Sequence, residues 1–225
     1  MKAKPADETY LFSNQDLKRL ILPLLVEQLL AITVGMADSI MVSSVGEAAV
    51  SGVSLVDTIF VLLINIFTAL ATGGAVVCGQ YLGKKRPEQA CQAADQLVLA
   101  TGILSILVMG LMYVLRTFIL NVVFGHIEPD VWNNCNIYFL IVSASIPFIS
   151  IYNAGAAIFR AQGDSKTPMK ISLLMNVINI IGNGILLYGF HFGVEGAAIP
   201  TLVSRMFAAV DILARAYKTD HVLHL

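Results

Sequence analysis

Two acids, Glu27 and Asp38, lie eleven residues apart inside the apolar stretch 17–43, LKRLILPLLVEQLLAITVGMADSIMVS. At about 100° per residue, eleven residues return to within about 20° of the same helical face. One helix therefore points two carboxylates the same way, about three turns apart. The stretch exceeds the roughly 20 apolar residues that cross a bilayer. Carboxylates at that depth are costly and usually face a protein interior or a water-filled path, where they bind ions or relay protons.

Other apolar stretches carry polar residues at helical spacing. Asp57 and Thr68 are again eleven apart, with Thr72 about 60° around the helix. Asn176, Asn179 and Asn183 follow an i, i+3, i+7 pattern and form one stripe. Thr201, Ser204 and Arg205 sit in the last apolar stretch. Amide and hydroxyl oxygens beside a carboxylate can bind a hard cation such as sodium, and the same amides can hydrogen-bond a protonated acid. The amide stripe has a second reading, as interhelical hydrogen bonds that only hold the helices together. A rise of about 1.5 Å per residue and a core of about 30 Å place Asp38, Asp57, Asn179, Asn183 and Thr201 in the outer half. Glu27 and Arg205 fall near the midplane by the same estimate, and the expectation is that they face one another.

The elements that must position these groups are membrane helices. Of 225 residues, 57% are hydrophobic and 13% charged, with a mean hydropathy of +0.78. An ordinary soluble domain has roughly 25% charged residues. The fold class is all-α, a polytopic membrane protein of six transmembrane helices. The expected spans are about 17–43, 51–79, 91–115, 131–159, 167–190 and 195–216, after a segment 1–16 and before a tail 217–225. Ser13 and Asp16 fit a capping box ahead of the first span. Pro129 suits a first helical turn, Pro147 a kink, Gly163 a helix stop, and Thr167-Pro168 a cap and first turn. Gly79 and Gly83 make a GxxxG, which reads as close packing or a plain helix end rather than a dimer motif.

Composition and motifs exclude several functions. The net charge of −1 argues against a nucleic-acid partner. Cys78, Cys91 and Cys135 form no CxxC pair and are odd in number, so neither a disulfide framework nor a zinc site is expected. The four histidines lie outside the apolar runs. There is no GxSxG and no HExxH, and GQYLGKK is not a P-loop, because the spacing is short and no Ser or Thr follows the lysine. An enzyme is not expected.

Pro23, Gln28 and Asp38 on the first span, AQGDSKTPMK at 161–170, NVINIIGN at 176–183 and GVEGAAIPTLVSR at 193–205 together resemble the multidrug and toxic compound extrusion (MATE) transporters. The resemblance covers roughly residues 15–216. It implies one six-helix lobe, the amino-terminal half, of a two-lobe secondary transporter. Such proteins export organic cations and drugs through the cell membrane in exchange for protons or sodium, without a cofactor. The implied partners are small organic cations, membrane lipids, and a carboxyl-terminal lobe or a second copy of the chain. The family's amino-lobe cation site maps onto Asp38, Asn179, Asn183 and Thr201, with Glu27, Asp57, Asn176 and Arg205 as further cavity or relay candidates. Asn183 stands where proton-coupled members of one branch have an aspartate, which removes one titratable group. One lobe supplies half a cavity wall, so the chain alone is expected to be a fragment that does not transport. A parallel homodimer is the alternative.

Charge sets the expected orientation. Lys2, Lys4, Lys18 and Arg19, then Lys84, Lys85 and Arg86, then Arg160, Lys166 and Lys170, and finally Arg215 and Lys218 fall at alternate ends of the spans. Twelve of fourteen basic residues thus lie on one side. The positive-inside rule then puts both termini in the cytoplasm. A topology reporter fused after Lys218 is expected to behave as cytoplasmic, and an extracellular or periplasmic signal would refute that orientation.

Overall fold

A computed structural model describes residues 14–125 and 127–217, and all of its regular structure is helical. Seven helices follow one another: α1 (Asn14–Ser43), α2 (Glu47–Gly83), α3 (Pro87–Phe118), α4 (Pro129–Ser143), α5 (Ile146–Ala161), α6 (Lys166–Asn183) and α7 (Glu195–Ala216). Turns of π-helix extend α3 through Ile119–Val123 and α6 through Gly184–Gly189. Five of these units are long and apolar enough to cross a membrane. α4 and α5 together make a sixth, bent by 46°. α2 and α3 run several residues past the expected spans, while the last two spans match them to within a residue. Ser13, and with it the expected capping box, lies outside the described residues, as do His126 and the tail beyond Tyr217.

Helix boundaries follow local chemistry. α4 opens with Pro129 in its first turn, where a missing N–H costs nothing. The break in the fourth span falls at Ala144 and Ser145, and Pro147 occupies the first turn of α5 rather than the point of bending. After α5 the chain turns at Gly163 with φ +83°, a left-handed conformation that suits glycine. Thr167 does not cap α6. The Asp164 carboxylate does, accepting from the backbone N–H groups of Lys166 and Thr167 at 3.0 and 3.1 Å, while the Thr167 hydroxyl donates to it at 2.6 Å.

α5 is the central post. Residues 154–159 are buried without interruption, and α5 packs against α2, α3, α6 and α7. A helix apolar on all sides belongs in a core. Large apolar side chains elsewhere face outward, among them Leu22, Ile40, Val114 and Val210. In lipid such exposure costs nothing, and helix association rests on close packing of small residues. Cys135 on α4 approaches α2 closely enough for its thiol to donate to the Gly52 carbonyl at 3.4 Å. A Cβ built on Gly79 or Gly83 meets nothing within 4 Å, so this GxxxG marks the end of α2 and not a close contact.

α6 and α7 pack closely at Gly182, where an added Cβ would lie 2.7 Å from Pro200 Cβ. The proline ring cannot rotate away. Gly182→Ala is therefore expected to destabilise the protein by about 1–3 kcal/mol through overpacking. Gly110→Ala, where a Cβ meets nothing within 4 Å, should be neutral or stabilising. Unfolding midpoints of the two purified variants in detergent, equal within error, would contradict this.

Candidate functional site

α1 shows one inward stripe: Pro23, Glu27, Val34, Asp38 and Val42 are buried or half-buried among outward-facing neighbours. The two acids do share a face, as their spacing requires. Their partners differ. Near the carboxyl-terminal end of the stripe, the Asn183 amide donates from Nδ2 to Asp38 Oδ1 at 2.7 Å. Its second N–H points to Asn179 Oδ1 at 3.4 Å. The Asn179 amide donates in turn to the Thr201 hydroxyl at 3.0 Å, and Thr201 donates to the Ala197 carbonyl at 2.9 Å. A continuous hydrogen-bonded chain thus links α1, α6 and α7 through Asp38, Asn183, Asn179 and Thr201. Asn183 Oδ1 is buried and has no hydrogen-bond partner among the described residues, and Asn176 Nδ2 is in the same condition.

This chain borders a cavity of about 360 Å³, which also takes in Asp57 of α2, Tyr138 of α4, Asn176 of α6 and Arg205 of α7. Tyr138 donates its hydroxyl to Asp57 Oδ1 at 3.1 Å. Arg205 donates from Nη1 to the Ser145 hydroxyl at 2.7 Å, at the break between α4 and α5. Ser145 can accept there because its own proton goes to the Val142 carbonyl at 2.6 Å. The cavity wall therefore presents two carboxylates, one guanidinium, two amides and three hydroxyls, on apolar surface that includes Val34 and Phe60. Such an arrangement can take a cation through its charge and oxygens, with the apolar wall covering an organic body. No cluster of three or more His, Cys, Asp or Glu side chains that could hold a metal ion occurs among the described residues.

Glu27 is elsewhere, and the expected pairing with Arg205 is wrong. Glu27 is bound by Arg160 of α5, whose Nη2 lies 2.7 Å from Oε2 and 2.9 Å from Oε1. The Tyr152 hydroxyl lies 3.1 Å from both Glu27 Oε1 and the Pro168 carbonyl. The depth estimate put Glu27 and Arg205 at one level, but level does not fix azimuth. α7 turns Arg205 toward the α4–α5 break, while α1 turns Glu27 toward the carboxyl-terminal half of α5. Arg160 falls one residue past the expected fourth span, 131–159, and lies in the last turn of α5. Tyr138, Tyr152 and Ser145 escaped sequence reasoning because an isolated Tyr or Ser in an apolar span carries no periodic signal.

The Glu27–Arg160 pair is mostly shielded, with side-chain exposures of 14% and 29%. Removing one partner leaves the other charge uncompensated. Glu27→Gln is expected to destabilise the protein by about 2 kcal/mol, between the ranges for surface and buried pairs. The double variant with Arg160→Gln should recover part of that loss. Additive losses in unfolding measurements would show that the pair does not act as a unit.

The MatE family model matches residues 23–185. The uncharacterized transporter YisQ of Bacillus subtilis is 28% identical over 218 residues, covering 93% of this chain and 46% of that protein. The probable multidrug resistance protein NorM of Thermotoga maritima is 28% identical over 203 residues, covering 87% of this chain and 43% of that protein. Among solved structures, a crystal structure of MATE in complex with MaL6 superposes with a TM-score of 0.89 at 23% identity. It covers 94% of this chain and 47% of that one. At that identity the likeness speaks for the fold, and the fold is that of half a MATE transporter. The chain spans about half the length of the curated relatives it matches. With a family model matching well over half of it, this multi-pass membrane chain, whose helices gather two half-buried acids, two amides and three hydroxyls at one cavity, belongs to the MATE transporter family.

Proposed function

We propose that the protein acts in secondary active efflux of organic cations and drugs, driven by proton or sodium antiport, with this chain as the amino-terminal lobe. The observation that carries the proposal is the hydrogen-bonded chain from Asp38 through Asn183 and Asn179 to Thr201 at the edge of the cavity. Similarity to relatives named as drug exporters supports it, among them the multidrug export protein MepA of Staphylococcus saprophyticus at 24% identity. The proposed setting is the plasma or inner membrane, with both termini cytoplasmic. A second lobe, or in the alternative a second copy of this chain, would complete the cavity wall.

In this reading Asp38 is the ion-responsive group. An amide serves both of its states. While Asp38 is ionised, Asn183 offers it an N–H, as in the observed bond at 2.7 Å. When Asp38 takes a proton, or shares a sodium ion, a turn of the amide presents the otherwise unpartnered Oδ1 instead. With an amide at position 183, only one carboxylate belongs to the chain, so it takes a single proton and not two. Asp57, Asn176 and Arg205 line the route of the substrate, and Glu27 serves to hold α1.

Asp38→Asn, tested in the complete transporter in vesicles, is expected to reduce ion-driven drug efflux to the level of protein-free vesicles while expression and insertion persist. Export at the parental rate, with unchanged pH and sodium dependence, would overturn the assignment.

A further inference from the structure

Arg205 differs from Arg160 and Arg215 in what holds it. Arg160 and Arg215 each lie in a direct ion pair, at 2.7 and 3.1 Å. Arg205 lines a cavity that holds two carboxylates, yet among the described residues it makes no ion pair within 4 Å. Its guanidinium donates to a neutral hydroxyl, that of Ser145, at 2.7 Å. Ser145 is buried and belongs to the break between α4 and α5, so the guanidinium is anchored on the wall away from α1. From there it shares the cavity wall with Asp57 and Asp38 without covering their oxygens. Asp57 is held by a Tyr138 hydroxyl, and Asp38 by the Asn183 amide. Asp38, Asp57 and Arg205 are the charged side chains of the wall, and their formal charges sum to −1.

A site of net charge −1 in a poorly polarisable medium is balanced by one positive charge. A second positive charge meets a guanidinium and no free counter-charge. We infer that Arg205 is a resident cation that brings this lobe's share of the cavity charge to −1, and so makes the lobe favour singly charged organic cations over dications. The inference rests on the reading of this cavity as the organic-cation site. It gives Asp57 a role distinct from that of Asp38: its charge is compensated by a fixed internal cation, whereas that of Asp38 is left for the exchanged ion or the substrate.

The matched probes are benzyltrimethylammonium, with one charge, and 1,4-bis(trimethylammoniomethyl)benzene, with two on the same ring. Their binding to the full chain in nanodiscs is measured by calorimetry. In the parent chain the dication is expected to gain nothing over the monocation. Arg205→Gln should shift the affinity ratio toward the dication by at least about tenfold, since one unit charge has been removed nearby. Arg205→Lys should retain the parental ratio. The decisive variant is Asp57→Asn combined with Arg205→Gln. It restores a net charge of −1 and should return the ratio to the parental value, which a merely structural role for Arg205 would not do. If Arg205→Gln does not fold, the double variant and Asp57→Asn alone, expected to weaken both cations with the dication losing more, still decide. An unchanged ratio in Arg205→Gln, or no recovery in the double variant, overturns the inference. Asp38→Asn separates the two readings. If it abolishes monocation binding while the Arg205 variants leave the ratio unchanged, only the role of Arg205 falls. If Asp38→Asn leaves both probes bound as before, the cation-site reading falls, and this inference with it.

Discussion

Inside a bilayer a polar side chain has no water to retreat to, so each must find its partner within the protein. Much of this structure is arranged to meet that demand for α1. The helix buries few apolar side chains, Val34 and Val42 among them. What secures it is polar. At one end Glu27 meets Arg160 and Tyr152, and eleven residues on Asp38 meets Asn183. Two polar clasps, three turns apart, hold a helix that packing alone holds weakly.

The clasps differ in kind. Glu27 is engaged by two guanidinium contacts and a phenol, and a carboxylate so fully bound has little capacity left for an ion. Asp38 is held by one amide, at the edge of a cavity, with an unpartnered carbonyl oxygen beside it. Opening and closing at Asp38 therefore disturbs fewer contacts than at Glu27. An acid that must exchange its partner is best placed where its hydrogen bonds are few and reversible, and one that must hold a helix where they are many.

The rest of the lobe supplies a rigid frame. α5 is buried along its second half, and Gly155 lets α7 lie so close that an added Cβ would fall 2.6 Å from Ile212 Cγ1. Gly182 does the same between α6 and α7. These contacts fix the positions of Asn179, Asn183 and Thr201, which sit on the two closely packed helices. The break at Ala144 and Ser145 turns a would-be defect into a fixture, because Ser145 there anchors Arg205.

Composition and hydropathy determined that the chain is an all-α membrane protein with about six crossings, because apolar runs of this length have no other stable setting. Helical periodicity determined that Glu27 and Asp38 share a face, and that Asn176, Asn179 and Asn183 form one stripe. Both conclusions follow from geometry within a single helix. What each face meets was decided only by the tertiary structure. Depth along the bilayer can be estimated from residue counts, but rotation of one helix relative to another depends on packing, and in this lobe on contacts such as Gly182 with Pro200. That is why Asp38, Asn179, Asn183 and Thr201 could be brought together on paper, the depth estimate reinforced by a family pattern, while Glu27 was given the wrong arginine. The cap of α6 follows the same rule at short range. Thr167 and Asp164 both carry suitable oxygens, and only the folded turn directs the Asp164 carboxylate at the free N–H groups of the helix.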